Sequence, residues 1–446
     1  MQIEENAITV RTKSRHTQNM RSCIDHLADF WYYTCKNFRI VRSFSMASII
    51  NRPFFTNWLS YWRDKDVIKV VTGIRRCGKT TLLKLFREKL LAEGVNKNQI
   101  ISINFEDPDI GIFKTFDAAW KFVRSKMDDS LDKIYVFLDE VQQVPEFERL
   151  VDGLFVKDNT DVYVTGSNAK FLSGELATFL TGRYVEISMQ PLSFAEYQAA
   201  FQELPKSEAF AQYMQFGGFP FIATLGTNEA ARIDYLSAIF DTIIYKDALA
   251  RLGLRDGALL KRIVRFIFDN IGNPLSVNRI TGTLKSEGIT IAGKTIDTYI
   301  NALCETLLVY HATRYDIKGR NYLKTLGKYY IADQGLRAIV TGQRGGDMGH
   351  VLENIVFLEL KRRYRDVYVG TIDGKEVDFV AFENAAPRYF QVALSVRDES
   401  TLERELAPFK TIRDQYPKTL ITLDYDPPLD HNGIRQVNAV DFLLES

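Results

Sequence analysis

The sequence of 446 residues has few cysteines, and the four that it has lie far apart. It contains no CxxC pair and no Cys/His cluster, which argues against a zinc ribbon and against a disulfide scaffold. No stretch reaches the roughly 18–20 uninterrupted apolar residues that a membrane-spanning helix needs. The N-terminal region is too charged and aperiodic for a signal peptide. These absences predict a soluble protein of the reducing cytoplasm with no membrane partner.

The sequence also lacks an excess of charge of one sign, because 57 Lys and Arg residues balance 56 Asp and Glu residues. Any affinity for nucleic acid must therefore come from a local basic patch and not from the field of the whole molecule. A hydrophobic content of 46% excludes bulk disorder. At roughly 100–200 residues per domain, the length predicts two to four domains.

Between residues 60 and 190 the chain alternates apolar runs with amphipathic segments. The runs have the length of strands, and the segments between them carry apolar residues at helical spacing. Near-continuous apolar strands separated by helices predict a parallel sheet that is covered on both faces. The predicted strands are Val67–Thr72, Ile100–Phe105, Ile134–Leu138, Val162–Thr165 and Tyr184–Ser188.

The remainder of the chain divides into three further parts. Helical patterns, interrupted at Gly217–Pro220, predict a helical lid over residues 191–257. Three helical segments and a hairpin that turns at Ile317–Arg320 predict a winged helix over residues 258–346. A helix followed by several strands predicts a small α/β C-terminal domain over residues 347–446.

The segment before the first domain is polar and aperiodic. Met46 opens the run MASIINRPFFTNWL directly before the recognisable α/β pattern. Residues 1–45 are therefore either an extension from an upstream start codon or a native segment with a short helical arm around Ile24–Tyr33. With either interpretation the α/β domain spans residues 46–190.

A glycine-rich turn follows the first predicted strand. Gly73–Thr80, GIRRCGKT, matches G-x-x-x-x-G-K-[ST] and lies between a predicted strand and a predicted helix, the context that this motif requires. Backbone N–H groups of such a loop converge on phosphates, the lysine reaches the β/γ oxygens, and the hydroxyl ligates Mg²⁺. The predicted nucleotide-binding residues are Gly73, Ile74, Arg75, Arg76, Cys77, Gly78, Lys79, Thr80 and Thr81.

A second motif, IYVFLDE, ends the third predicted strand. It places Asp139 at the carboxyl end of that strand, where ligands collect in an open α/β sheet. We expect Asp139 and Thr80 to hold Mg²⁺, and Glu140 to polarise the attacking water, because phosphoryl transfer to water needs a positioned base besides the metal. An isolated Asp-Glu pair is more often a solvated strand end, but the phosphate loop upstream favours the catalytic interpretation.

The segments GIRRCGKTTLL, YVFLDEVQQV, VYVTGSNAKFLSGELATFLTGRYVEI and QPLSFAEY resemble an ATPase family of archaea and bacteria within the AAA-type P-loop group. Its members usually carry an uncharacterised C-terminal domain. The resemblance extends from residue 46 to about residue 446 and is strongest in the first two motifs. It implies that the nucleotide is ATP and that the fold is α/β, with a parallel-sheet P-loop NTPase core of five strands.

The same resemblance implies roles for polar residues further along the core. The Thr165–Asn168 segment would lie beside the phosphate loop, with Ser167 or Asn168 as the γ-phosphate sensor. Arg183, just before the fifth strand, would be an arginine finger whose guanidinium stabilises charge on the γ-phosphoryl oxygens. The alternative for Arg183 is a salt bridge or a contact with a substrate strand.

Two arginines occupy loop positions where most such loops have smaller residues. Arg75 and Arg76 either pair with Glu106 or Asp107 or reach phosphate, and the sequence leaves both options open. Cys77 is predicted to be a small filler and not a redox switch.

The predicted wing is locally basic. A basic hairpin beside a three-helix unit is the electrostatic footprint of duplex DNA binding. A solvated basic face and a surface for a protein partner are the alternatives. The predicted DNA contacts are Lys318, Arg320 and Lys324, with Arg314 and Lys328 in the same hairpin and Lys285 and Lys294 in the preceding helices.

The last domain partly resembles restriction-endonuclease-like folds. Glu353, Glu376, Asp378 and the segment Gln391-Val-Ala393 fall where such folds place a helix acid, a strand Asp and a following acid-x-Lys. Such an active site needs carboxylates for Mg²⁺ and usually a lysine near the attacking water. Because Gln391 and Ala393 replace the acid and the lysine, we expect the fold without the nuclease chemistry.

Together these features predict an ATPase that hydrolyses ATP with Mg²⁺ and couples the reaction to movement of the winged helix on DNA. The alternative class is a signalling switch that hydrolyses slowly and uses its C-terminal domain to bind a protein. An arginine finger acting on a second copy would require a homo-oligomer. The predicted catalytic residues are Lys79, Asp139, Glu140, Asn168 and Arg183.

Overall fold

The computed structural model of the chain describes residues 49–111, 113–169, 182–250, 253–254, 256–342 and 347–445, without the side chains of residues 324–326. The predictions for residues 1–45 lie outside these ranges. Within them, no helix is both long enough and apolar enough to cross a membrane.

The first sheet has five parallel strands. The first strand is flanked by the fourth and the fifth, and the fifth and the second form the two edges, in the order β2-β3-β4-β1-β5. Strands β1 and β3 are buried along their whole length, as apolar runs covered on both faces must be. The parallel P-loop type of sheet is confirmed. The strands are β1 (Ile68–Gly73), β2 (Ile100–Asn104), β3 (Ile134–Asp139), β4 (Thr160–Gly166) and β5 (Tyr184–Met189).

Helices cover this sheet on its two faces. On one face, Phe86 packs against the stacked rings of Phe137 and Tyr163, whose centroids lie 4.6 Å apart. On the other face, Val136 and Val164 belong to a separate aliphatic core. The helices are α1 (Pro53–Trp62), α2 (Lys79–Ala92), α3 (Phe116–Arg124) and α4 (Phe147–Phe155).

A helical segment follows the sheet, as the sequence patterns predicted. The helices of this segment are interrupted at Gly217, whose φ of +74° lies in the left-handed region that glycine tolerates. The Gly218 N–H donates to the buried Asp333 carboxylate at 2.6 Å, which fastens the break to the next part of the chain. The elements are α5 (Phe194–Ala200), α6 (Lys206–Phe216), a 3₁₀ turn (Pro220–Leu225), α7 (Glu229–Thr242) and a π-helix (Ile243–Ala250).

Three helices and a hairpin come next, in the predicted order. Ser276 caps the second helix through its hydroxyl, which accepts from the Arg279 N–H at 3.2 Å. The three helices share one hydrophobic core with the preceding helical segment and with the loop after β1. The elements are α8 (Gly257–Asp269), α9 (Val277–Ser286), α10 (Gly293–Glu305), β6 (Val309–Asp316), β7 (Asn321–Ile331) and α11 (Gln334–Thr341).

The hairpin differs from a free-standing wing. Strand β6 pairs in parallel with a C-terminal strand, at Arg314↔Val369, so the hairpin closes one edge of an eight-stranded sheet. Residue 346 therefore does not separate two sheets. An unpaired β6 edge would expose backbone donors and acceptors, and this pairing satisfies them. The remaining elements are α12 (Met348–Arg363), β8 (Asp366–Ile372), β9 (Lys375–Glu383), β10 (Ala386–Val392), α13 (Glu399–Thr411), β11 (Lys418–Thr422), β12 (Leu429–Asp430), β13 (Ile434–Asn438) and α14 (Ala439–Leu444).

Candidate functional site

The loop between β1 and α2 is shaped for an anion. Gly78, at the N-cap of α2, has a φ of +107°, and Arg76 has a φ of +67°. Left-handed residues in such a turn direct successive N–H groups towards one point. The 14-residue helix that begins at Lys79 adds the positive end of its dipole at the same place.

Close packing fixes this loop on two sides. A Cβ at Gly73 would lie 2.2 Å from the Met189 carbonyl oxygen and 2.8 Å from the Cys77 sulfur. A Cβ at Gly78 would meet the Met189 side chain at 3.4 Å and Pro220 of the 3₁₀ turn at 3.8 Å. The loop is therefore wedged between the end of β5 and the helical segment.

The Lys79 ammonium is buried in the loop. It donates to the Gly73 carbonyl oxygen at 2.9 Å and pairs with the Glu140 carboxylate at 3.4 Å. Burial disfavours its charge, but the nearby acidic groups, Glu140 foremost and Asp139 with it, together outweigh that penalty and raise the pKa of Lys79 above its ordinary value. Lys79 therefore stays charged between the loop and the end of β3.

Asp139 lies at the carboxyl end of β3 and meets two hydroxyls. Thr80 Oγ1 donates to its Oδ2 at 2.6 Å, and Thr165 Oγ1 donates to its Oδ1. Burial raises the pKa of Asp139, against the effect of these two donors. The Thr80 hydroxyl and the Asp139 carboxylate are hard oxygen ligands that fit Mg²⁺, which typically binds one or two carboxylates and takes its other ligands from water and phosphate.

Glu140 adopts a left-handed backbone conformation, with a φ of +52° and a ψ of +46°. Its N–H donates to Thr165 Oγ1 at 3.0 Å, and its carboxylate accepts from Gln142. A non-glycine residue in this region is strained and is held there by its surroundings. Burial opposes the ionisation of Glu140, but the Lys79 ammonium, the Gln142 donor and Arg75 together outweigh it and lower the pKa of Glu140.

Thr165 begins the segment expected beside the phosphate loop, but no role of its own was predicted for it. It binds both Asp139 and Glu140, and strand β4 places it opposite Val71 of β1. A polar residue at the end of an otherwise apolar strand was the available signal. Ser167 and Asn168, the two candidates for the sensor, are buried two and three residues further on, just after the end of this strand.

The segment after β4 leads away from the site to the three-helix unit. The Ala169 N–H donates to the Glu305 carbonyl oxygen at 2.7 Å, at the last residue of α10. This hydrogen bond, one residue after Asn168, fastens the candidate sensor segment to α10.

The two arginines of the loop have different environments. Arg75 is buried, and its guanidinium donates to Asp247 at 2.8 and 3.0 Å and to Glu106 at 2.9 and 3.2 Å. Burial opposes the charge of Glu106, but Arg75 and Lys246 together lower its pKa to about 2. Of the two options for Arg75, the structure shows the carboxylate pairing with Glu106. Arg76 is exposed.

Asp247 is the partner that the sequence did not suggest, because it lies 172 residues from Arg75, on the π-helix Ile243–Ala250. Cys77 beside these arginines is fully buried, and burial raises the pKa of its thiol. A buried neutral thiol packs as a small apolar group, as expected.

Arg52 is a second unexpected contact of the loop. It precedes α1, and its guanidinium donates to the carbonyl oxygens of Cys77 at 3.3 Å and Gln190 at 2.9 Å. It also pairs with Glu196 at 2.8 Å. One buried cation therefore ties α1, the loop and the end of the sheet together.

Arg183 lies at the opposite end of the sheet from the loop. It precedes β5, whose first residue pairs with Ile68, whereas the last pairs with Gly73. The length of this strand, roughly 16 Å, separates Arg183 from the loop of its own chain. Its guanidinium pairs with Asp152 at 2.8 Å, which is the salt bridge weighed as the alternative. An arginine finger at this position has to act on a second copy.

The hairpin has fewer free positive charges for binding DNA than the sequence indicated. Lys328 is buried, so it is removed from the predicted basic surface, and Lys318 pairs with Asp373 at 2.9 Å. Arg320 is exposed, and the Lys324 side chain lies outside the description. Lys285 and Lys294 of the preceding helices are exposed.

Two family models match parts of the chain. An AAA domain matches residues 65–198, and a domain of unknown function, DUF8612, matches residues 207–346. The AAA match contains the loop, Asp139, Glu140 and all five strands of the first sheet. These residues therefore form a P-loop domain of the AAA class.

Two relatives resemble most of the chain. An uncharacterised protein of Haemophilus influenzae is 38% identical over 402 residues, which cover 89% of this chain and 99% of that protein. An uncharacterised protein of Methanocaldococcus jannaschii is 28% identical over 385 residues, 82% of each chain. A solved structure, the Walker-type ATPase of Pyrococcus abyssi, has 18% identity and a TM-score of 0.46, and covers 66% of this chain and 96% of that one. The chain belongs to the family of the Haemophilus protein.

Gly73→Ala tests the packing of the loop. The new methyl group would strike the Met189 carbonyl oxygen, and displacing that backbone costs about 1–3 kcal/mol. We expect ATP affinity to fall by about tenfold or more in equilibrium binding, with the circular dichroism spectrum retained. Gly282→Ala, where nothing lies within 4 Å of the new methyl group, is the control. Parental affinity in Gly73→Ala would show that the loop does not need this fit.

Proposed function

We propose that the protein is a Mg²⁺-dependent ATPase. The observation that carries the proposal is the meeting of Lys79, the Thr80–Asp139 pair and Glu140 at the carboxyl edge of one parallel sheet. The loop and Lys79 would bind the phosphates, and Thr80 and Asp139 would hold the metal. When bound, Mg²⁺ supplies charge neutralisation at the phosphate oxygens.

Glu140 is the proposed general base. Its carboxylate is held by Lys79 and Gln142, and its backbone by Thr165. A phosphate oxygen that competes for the Lys79 ammonium would weaken the Lys79–Glu140 pair. The pKa of Glu140 would then rise towards its ordinary value, which makes it a better proton acceptor when substrate is bound.

Hydrolysis would be coupled to the helical parts through Arg75. Its guanidinium joins the phosphate-binding loop to Asp247 of the π-helix, and π-helices frequently mark functional sites. The Ala169–Glu305 hydrogen bond supplies a second connection, from the sensor segment to α10. A shift of the loop or of the sensor segment would therefore move packed helices and not isolated side chains.

Duplex DNA is the proposed client, and it would contact Lys318, Arg320 and Lys324 of the hairpin. Lys285 on α9 and Lys294 on α10 are the further basic residues proposed for this contact. The alternative is a slow nucleotide-dependent switch that binds a protein. The Lys318–Asp373 pair and the burial of Lys328 favour this alternative, because both reduce the free positive charge of the hairpin.

Lys79→Ala and Glu140→Gln should separate binding from chemistry. Loss of a charge-assisted contact worth about 1.5–3 kcal/mol should weaken ATP binding by roughly 10- to 100-fold in Lys79→Ala. Glu140→Gln should bind ATP and lose turnover by roughly 10²- to 10⁴-fold. Equilibrium binding and phosphate release measure the two effects.

The matched controls are Lys84→Ala and Glu146→Gln, which change exposed residues of the same types. Both should behave as the parent protein. ATP hydrolysis at the parental rate by Glu140→Gln would remove Glu140 from the role of base.

Asp247→Asn tests the connection between the loop and the π-helix. The amide keeps the shape of the side chain but removes the charge that faces Arg75, so the loop should lose its hold on the π-helix. In the parent, a non-hydrolysable ATP analogue should change the hydrogen-exchange rates of residues 243–250. In the variant, the same analogue should change them at least about fivefold less. Asp241→Asn, at an exposed pair with Lys261, is the control. An equal response in all three proteins would rule out this route.

Replacing Lys318 and Arg320 by alanine tests DNA as the client. Each lost phosphate contact should reduce the slope of log affinity against log salt by roughly 0.9. Fluorescence anisotropy with a labelled duplex at several salt concentrations measures that slope. Lys121→Ala, an exposed lysine on α3 of the ATPase core, is the control. An unchanged slope would contradict DNA binding by the hairpin and favour the alternative, in which the protein binds another protein.

A further inference from the structure

A buried lysine lies in the middle of the carboxylates that resemble a nuclease centre. The Lys328 ammonium of β7 is 2.9 Å from Glu353, 2.7 Å from Glu376 and 3.8 Å from Asp378. Only 2% of the residue is exposed. The three acids come from α12 and β9 and thus converge as the sequence predicted, but the cation between them belongs to the protein.

The surroundings hold these carboxylates in place. Tyr330 donates its hydroxyl to Glu353 at 2.6 Å, and the Val392 N–H donates to Asp378 at 2.8 Å. Gln391, which stands where a further acid was expected, accepts from the Asp378 N–H at 3.3 Å and donates to Glu405 at 2.9 Å. The position of the missing acid is therefore used for a structural hydrogen bond.

The loop after α8 covers the cluster. Its Gly272 N–H donates to the Tyr329 carbonyl oxygen at 3.3 Å, and its Leu275 N–H donates to the Gly327 carbonyl oxygen at 3.1 Å. A Cβ at Gly272 would lie 2.9 Å from a Glu353 oxygen, and its φ of +70° also favours glycine. The loop therefore packs directly against the Glu353 carboxylate on this side of the cluster.

Mg²⁺, which a nuclease-like fold implies, does not fit this arrangement. Among the residues that the structure describes, no group of three or more His, Cys, Asp or Glu side chains is placed to hold a metal ion. An ammonium at hydrogen-bond distance from two carboxylates takes the space that the metal would need. Glu353 and Asp378 are buried, and burying two carboxylates side by side without any cation would be strongly unfavourable.

We infer that the Lys328 ammonium replaces the divalent cation of a nuclease-type cluster and converts it into a buried joint between the hairpin and the C-terminal sheet. The joint connects β7, which follows the three-helix unit, with α12 and β9. It makes the hairpin move as one body with the C-terminal sheet. The inference does not depend on ATP hydrolysis.

The test is rescue of a lysine-deficient variant by metal, in the full chain without nucleotide. Lys328→Ser removes the cation and leaves space, so its thermal midpoint should fall and then rise by several degrees with millimolar Mn²⁺. The parent protein should show no such rise. Lys328→Met, which fills the space without a charge, should be destabilised and not rescued.

Two further measurements keep the inference testable if Lys328→Ser does not fold. Electron paramagnetic resonance should find the same amount of bound Mn²⁺ in the parent and in Asp378→Asn, and the parent should not cut supercoiled plasmid in Mn²⁺. Mn²⁺ binding or cleavage that is present in the parent and lost in Asp378→Asn would overturn the inference. A folded Lys328→Ser protein with no response to Mn²⁺ would also overturn it.

Discussion

An arginine buried in a phosphate-binding loop cannot lose its charge, so carboxylates must reach it. In this chain the guanidinium of Arg75 is met by Glu106, at the end of one strand, and by Asp247, on a π-helix. A buried cation with either partner removed would be strongly destabilising. Both ion pairs of Arg75 form only when the loop, the sheet and the helical segment pack together.

The same principle repeats elsewhere in the molecule. Lys79 is balanced by Glu140, Arg52 by Glu196, and Lys328 by the carboxylates of the C-terminal domain. Each pair joins segments that are distant in sequence, and each fixes one orientation of the parts it joins. In the nucleotide site this arrangement has a further consequence, since the cation that would bind phosphate also contributes to the lowered pKa of the proposed base.

The motifs recognised in the sequence are short, and they predict local structure better than contacts between distant segments. The GIRRCGKT loop and Asp139 follow from a strand, a turn and a helix, whose patterns the sequence carries. Glu106 was a candidate partner of Arg75, but its second partner, Asp247, and the partner of Arg183, Asp152, did not follow in the same way, because they reach the arginines through tertiary packing. Lys328 is the sharpest case. In the sequence it counts as one more basic residue of a hairpin, and only the pairing of that hairpin with the C-terminal sheet shows that its charge is internal.

In the proposed mechanism, Lys79 moves between the loop carbonyls, Glu140 and a bound phosphate. The most direct measurement is a crystal structure of the protein with Mg²⁺ and a non-hydrolysable ATP analogue. We predict that the Lys79 ammonium contacts the phosphates, that its contact with Glu140 is lost, and that Thr80 and Asp139 face the metal. An analogue bound away from the loop, with Lys79 still on Gly73 and Glu140, would contradict this mechanism.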